Sequence, residues 1–535
     1  MLKEKTYIFI LIAVTMFLFL FGLGNMALTD PDESFYAETA KEMYDGGEWV
    51  TPQIFGKPQF EKPVFYYWTV IAGYIVFGVG EFAARFSSAL FGILGVIGVY
   101  FLGRLVCSPL CGFLSGLILA TSGEYLVLAR ACITDMVLCV FILFSILFFL
   151  YGFTGRKRVF YFWSSVMMAL AVLTKGPIGI FLPVVILFFY IAATKQLSKC
   201  KEIPFFKCAI IFIAVALPWY LAAYLKHGAI FIEEFFGFQN ITRFLQPEHK
   251  IGTSPLFYIP VILGGFYPWT FFLPLGIREL YKNRAQAVSA IKNSALLLSL
   301  WFLVIFIFFS VSKTKLVTYV FPLFPVLAVV CGVAWDKFFT AKPAEAYVQR
   351  YMKISFYIFA AVSLAFAIGC PIVVKYEYPV VFNGVLVALA IFSSFLILSL
   401  VTFLKGKKVT SFSSIIIGII VIIVPLALYV LPKAGEMESS REMSSIVKEK
   451  VPTNEALGGE DDHRRGIAFY ANRIDIVDIH PYQSLIDFIY RNERVWGIIQ
   501  KKHFTQIKRE KGDIIEEVAD RGKYVLFTNK LSNKK

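Results

Sequence analysis

Thirteen apolar runs dominate this sequence, near residues 7–27, 82–103, 110–129, 133–153, 159–174, 176–194, 208–225, 257–277, 295–311, 316–335, 354–374, 380–403 and 412–431. A helix needs about 20 such residues to cross the hydrocarbon of a bilayer. With 58% of 535 residues hydrophobic and a mean hydropathy of +0.69, lipid has to be the solvent, because no soluble core of this size hides so much apolar surface. The pattern predicts a polytopic α-helical membrane protein of about 13 transmembrane helices. The first run, Tyr7–Ala27, follows a charged Met-Leu-Lys-Glu-Lys as a signal peptide would. It is long enough to span and lacks a small-residue cleavage site before Asp30, so it is read as an uncleaved first helix.

A net charge of +15 raises the question of nucleic acid. The basic residues instead occupy alternate short loops: Arg156, Lys157 and Arg158; Lys195, Lys199 and Lys201; Arg278, Lys282, Arg284 and Lys292; Lys405, Lys407 and Lys408. That alternation fits the positive-inside rule with a cytoplasmic N-terminus in the inner membrane, and no basic stripe with interleaved stacking aromatics suggests a nucleic-acid partner. An odd number of spans then puts residues 432–535 in the periplasm, where short alternating runs such as Tyr524-Val525-Leu526-Phe527 predict a small α/β soluble domain after a membrane domain of residues 1–431. The eight cysteines all lie in or beside apolar segments, which fits neither a disulfide framework nor a Cys-based zinc site.

Two outer segments exceed simple turns: a first outer loop, residues 29–81, and a second, residues 226–256. In the first, apolar and aromatic residues from Phe35 to Tyr44 recur at helical spacing after Asp32-Glu33-Ser34, predicting an amphipathic interfacial helix capped by Asp32. A second aromatic-rich stretch from Val64 to Phe77 should also lie at headgroup depth.

The loop gathers carboxylates at Asp30, Asp32, Glu33 and Glu61, the last beside Lys62. Bland readings exist: a cap for Asp32, a solvated pair for Glu61 and Lys62. Asp135 opens another span, and an ionisable group at membrane depth is a functional candidate unless it only pairs with Arg130. Lys62, Lys175, Arg243, Lys313 and Lys315 share the outer face, where Lys and Arg are disfavoured; together they suit a lipid phosphate. Carboxylates beside phosphate-binding cations suit glycosyl transfer from a polyprenyl-phosphate sugar: positive charge develops at the anomeric carbon and negative charge on the departing phosphate. No Walker-type or dinucleotide-binding run is present, and no cofactor is implied; a divalent cation has little support.

At these residues the chain resembles the GT-C membrane glycosyltransferases, and within them the lipid A 4-amino-4-deoxy-L-arabinose transferases and the related protein O-mannosyltransferases. The likeness runs through Pro31-Asp32-Glu33-x-x-Tyr36-Ala37-Glu38, Phe60-Glu61-Lys62-Pro63, Thr134-Asp135, Thr174-Lys175-Gly176 and Lys315-Leu316-x-Thr318-Tyr319, covering roughly residues 7–335. The resemblance implies that Asp32 is a catalytic carboxylate, that Lys62 and Arg243 grip the lipid phosphate, and that Tyr36, Glu61, Asp135, Lys175 and Tyr319 line the same cavity. Glu33 and Asp135 join the candidates through the carboxylate cluster and membrane depth. Where family members often read Glu-His, this chain has Gln239-Asn240, two fewer metal donors. The expected partners are a polyprenyl-phosphate sugar donor, membrane lipids, and an acceptor that is lipid A or else a protein hydroxyl or another envelope glycan. A lipid-linked sugar transporter is the reading from another class; the charges gather at one face and not at the midplane, which disfavours it.

Overall fold

The computed structural model describes all residues except 1–3, 156, 243–253, 283–292, 481, 513 and 531–535. Each of the thirteen apolar runs contains helix. Among the described residues, eight helices are long and apolar enough to span, from Glu81–Val106 to Lys408–Glu438, and Tyr258–Gly265 with Trp269–Lys282 makes a ninth if a pair bent by 98° is one span. The remaining runs form shorter helices. Residues 110–129 divide at Thr121-Ser122 into Pro109–Ala120 and Gly123–Leu128, while Val159–Lys175 and Ile178–Ala193 are separated by Gly176-Pro177. The chain is a multi-pass membrane protein. Large apolar side chains stand exposed on its long helices, among them Phe206 at 79% and Leu364 at 62%, as a lipid-facing surface requires.

Two compact units divide the chain. The first comprises residues 1–21, 60–66 and 87–426. It contains α1 (Glu4–Leu20), α4 (Glu81–Val106, from residue 87 on), α5 (Pro109–Ala120), α6 (Gly123–Leu128), α7 (Asp135–Phe153), α8 (Val159–Lys175) and α9 (Ile178–Ala193) with the later spans. Little hydrophobic drive exists between helices in lipid, so close approach of backbones matters. At the α4–α5 crossing Gly103 faces Gly112: a Cβ on Gly103 would stand 2.9 Å from the Gly112 Cα. Elsewhere aromatic rings fill the interior, with Trp269, Phe272 and Phe412 around a fully buried Trp335.

The second unit comprises residues 22–59, 67–86 and 427–535. Its sheet has the order β4-β3-β5-β7-β6, formed by β3 (Ala456–Gly459), β4 (Ile476–Asp478), β5 (Val495–Gln500), β6 (Ile515–Arg521) and β7 (Tyr524–Asn529). β3 pairs parallel with β4 and β5, and β7 pairs antiparallel with β5 and β6. All six residues of β7 are buried, so this strand is covered on both faces and not on one. The small α/β domain expected near the C-terminus is present.

The same unit holds α2 (Asp32–Asp45) and the short hairpin of β1 (Gln53–Ile54) and β2 (Lys57–Pro58). Asp32 is the first helical residue, not the cap; Pro31 takes the cap position. The neighbouring acid Asp30 holds the helix start instead, accepting from Ser34 Oγ at 2.6 Å and from the Ser440 amide at 3.0 Å. Glu33, Glu38, Lys41 and Glu42 of α2 are buried beside its apolar residues. Glu33 receives a two-point ion pair from Arg85, both bonds 2.7 Å, while Arg85 also donates to the carbonyls of Met26 and Ala27. Lys41 Nζ bonds Asn472 at 2.7 Å, and the Glu42 carboxylate accepts the amides of Phe55 (2.6 Å) and Gly56 (2.9 Å) at the hairpin turn. These contacts fix α2 from several sides.

Glu38 is wholly buried on this helix, neither oxygen has a hydrogen-bond partner among the described residues, and the Lys41 ammonium stands 4.0 Å away. Burial pushes its carboxyl up to about 8. Between the ordinary value of 4.5 and 8 the folded state therefore carries a proton that the unfolded chain has lost, so stability falls as pH rises through that window. The melting temperature of the purified protein is expected to be lower at about pH 9 than at about pH 5, and Glu38→Gln is expected to flatten that dependence. An unchanged slope in the variant would refute the assignment to Glu38.

Candidate functional site

Local sequence places two opposite charges at facing helix ends. Asp135 is the first residue of α7, where the helix dipole favours an anion, and Lys175 is the last of α8, where it favours a cation. Gly176 ends α8 at φ +82°, a conformation that L side chains rarely adopt, and Pro177 leads into α9. α7 and α8 pack side by side, and Lys175 Nζ meets the Asp135 carboxylate at 2.6 Å, with the two side chains only 16% and 12% exposed. Arg130, weighed from the sequence as the partner of Asp135, donates instead to the carbonyls of Leu18 and Phe21 at the end of α1. The Lys175 ammonium also stands 5.3 Å over the Tyr319 ring.

This pair borders a cavity of about 590 Å³ within the first unit. Glu61, Lys62, Asp135, Lys175 and Tyr319, five of the candidates read from the sequence, line it together, with Gln239, Ser312 and Thr314 as further polar neighbours. Lys62 Nζ bonds the Glu61 carbonyl at 3.1 Å. The rest of the wall is apolar and largely aromatic: Phe181 and Leu182 from α9, Phe235 and Phe236, and Phe308 and Phe309 from the helix Ser294–Val311. Cations and acids beside a long apolar wall suit an amphiphile with an anionic head and a hydrocarbon chain.

The other candidates lie elsewhere. Asp32, Glu33 and Tyr36 belong to the second unit, on α2. Asp32 is exposed in the first turn, Glu33 is engaged by Arg85, and the Tyr36 ring lies 6.2 Å from that of Tyr67. Arg243 lies outside the described residues. Lys315 is buried and donates to the Ser310 carbonyl at 2.9 Å and to that of Ser312; with Lys313 it lines a separate cavity of about 480 Å³. Sequence reasoning missed the aromatic wall, because Phe308 and Phe309 at the end of a span read simply as hydrophobic. Among the described residues no three His, Cys, Asp or Glu side chains group closely enough to hold a metal ion.

The chain is similar to several known proteins. Residues 6–231 match the family described as dolichyl-phosphate-mannose-protein mannosyltransferase. An undecaprenyl phosphate-alpha-4-amino-4-deoxy-L-arabinose arabinosyl transferase of Shewanella sediminis is 32% identical over 341 residues, 61% of this chain and 60% of that protein. An uncharacterised protein of Aquifex aeolicus is 32% identical over 331 residues, 61% of this chain and 63% of its own. The chain thus matches 60–63% of the length of these curated relatives. Among solved structures, ArnT from Cupriavidus metallidurans bound to undecaprenyl phosphate superposes with a TM-score of 0.82 at 21% identity, over 99% of each chain. The chain therefore shares the fold of that structure. In sequence the chain resembles the 4-amino-4-deoxy-L-arabinose transferases and, over residues 6–231, the protein mannosyltransferases.

Proposed function

We propose that this chain is a glycosyltransferase that moves 4-amino-4-deoxy-L-arabinose from undecaprenyl phosphate to a phosphate of lipid A at the periplasmic face of the inner membrane. The observation that carries the proposal is the cavity in which Lys62, Lys175, Glu61 and Asp135 stand beside an aromatic and aliphatic wall. The names of the relatives supply the sugar and the carrier. In this reading the N-terminus is cytoplasmic, residues 1–431 form the membrane domain and residues 432–535 the periplasmic one.

The bond between the anomeric carbon and the undecaprenyl phosphate oxygen breaks, its electron pair leaving with the phosphate. A lipid A phosphate oxygen forms the new bond. Lys62 and Arg243 hold the departing phosphate and offset its growing charge. Asp32 stabilises the positive charge at the anomeric carbon and accepts a proton from an acceptor that carries one. Asp135 is the second acid, held by Lys175, and Tyr36, Glu61, Tyr319 and Glu33 shape the surroundings of donor and sugar.

Mass spectrometry of lipid A from cells with and without the protein tests the proposal. The expected result is an aminopentose on a lipid A phosphate only when the protein is present. An unchanged lipid A profile overturns it, and glycosylated envelope proteins in its place would assign a protein acceptor.

A further inference from the structure

One acid in the membrane unit has its carboxylate enclosed and unpaired among the described residues. Both carboxylate oxygens of Glu124, the second residue of α6, are closed to solvent and without a hydrogen bond among the described residues. The hydroxyl of Thr134, next to Asp135, is in the same condition. Space for the Glu124 carboxylate exists because position 265 is glycine. A Cβ there would collide with Glu124 Oε2 and would stand 3.0 Å from the Glu124 Cβ and 2.9 Å from the Phe324 ring.

Native proteins leave few buried polar atoms unbonded, and a carboxylate in a bilayer-embedded unit is the costliest kind. Asp135 lies within electrostatic range of Glu124, yet it takes its own countercharge from Lys175 at 2.6 Å. Glu124 thus stands near the acid of a pair that lines the cavity and has no countercharge of its own among the described residues. The group that completes such a set is a compact cation with adjacent hydroxyls.

We propose that Glu124 is the specificity-determining residue for the cationic amino group of the transferred sugar, with the Thr134 hydroxyl bonding a hydroxyl of the same ring. This deepens the proposed function and rests on its amino-sugar donor. Glu124 makes no bond to the reacting carbon, so its loss changes which sugar is taken and not the transfer itself.

The full-length protein in lipid nanodiscs, supplied with lipid A, is assayed with two donors: undecaprenyl-phosphate 4-amino-4-deoxy-L-arabinose and the same donor with its amine masked as a neutral amide. Wild type is expected to prefer the free amine by at least about tenfold in kcat/KM, the weight of one charge-assisted hydrogen bond. Glu124→Gln is expected to abolish that preference while its rate with the amide donor stays within about twofold of wild type. Glu124→Met, of similar volume, should behave alike and covers the case in which the amide variant misfolds. If wild type shows no preference, or if both variants fold and keep the wild-type preference or lose both donors equally, the role of Glu124 is refuted. No transfer by wild type from either donor would instead refute the proposed function.

Discussion

Replacing Asp32 by Asn is expected to lower transfer from an undecaprenyl-phosphate sugar by about 10²- to 10⁴-fold, with the melting temperature unchanged. The side chain is exposed in the first turn of α2, so the amide costs little in folding, and its near-identical shape removes only the charge. What the helix contributes is position. Glu33, the next residue, is locked by Arg85, and Lys41 and Glu42 tie the following turns to Asn472 and to the hairpin amides. A carboxylate on so firmly held an element loses little freedom when it meets the developing charge. A radiolabelled-sugar transfer assay beside a melting curve checks this, and full activity in the variant would remove Asp32 from the mechanism.

The second large effect concerns Asp135 and Lys175. Asp135→Asn alone leaves the Lys175 ammonium mostly buried without its anion, and Lys175→Met leaves the opposite charge; each is expected to destabilise the protein by about 3 kcal/mol or more. The double variant removes both charges and is expected to recover most of that stability, since replacing a buried pair is far cheaper than breaking it. Activity should not return with it, because cavity-lining charge is gone. Denaturation midpoints and transfer rates for the three variants decide the matter. A double variant as unstable as the singles would mean that the pair does not act as a unit, and an active one would mean that its charges serve structure alone.

Much of the architecture was legible because its signals are local. Hydropathy over about 20 residues marks a span wherever it falls, and the alternating run Tyr524–Phe527 pointed to a small α/β domain near the C-terminus. Glu61, Lys62, Asp135 and Lys175 stood out as charged residues at the expected outer face, Tyr319 entered through the family resemblance, and the structure brings these five to one cavity. Span lengths were less legible: hydropathy does not register the break at Thr121-Ser122 or the bend between Gly265 and Trp269, which depend on backbone turns.

Charge pairing was decided only in three dimensions. From the sequence Asp135 had a near neighbour in Arg130, five residues away, but the packing of α7 on α8 delivers Lys175 from 40 positions on and sends Arg130 to the end of α1. Glu33 read as one more acid in a cluster until Arg85 engaged it. The burial of Glu38 and of the Glu124 carboxylate gave no signal in the sequence, since burial of a carboxyl is a property of what surrounds it. The sequence by itself determined that the chain enters a membrane and which charged residues interrupt its apolar pattern; the tertiary structure alone decided which of those charges pair and which line a common cavity, because electrostatic partners are chosen by distance through space and not by separation along the chain.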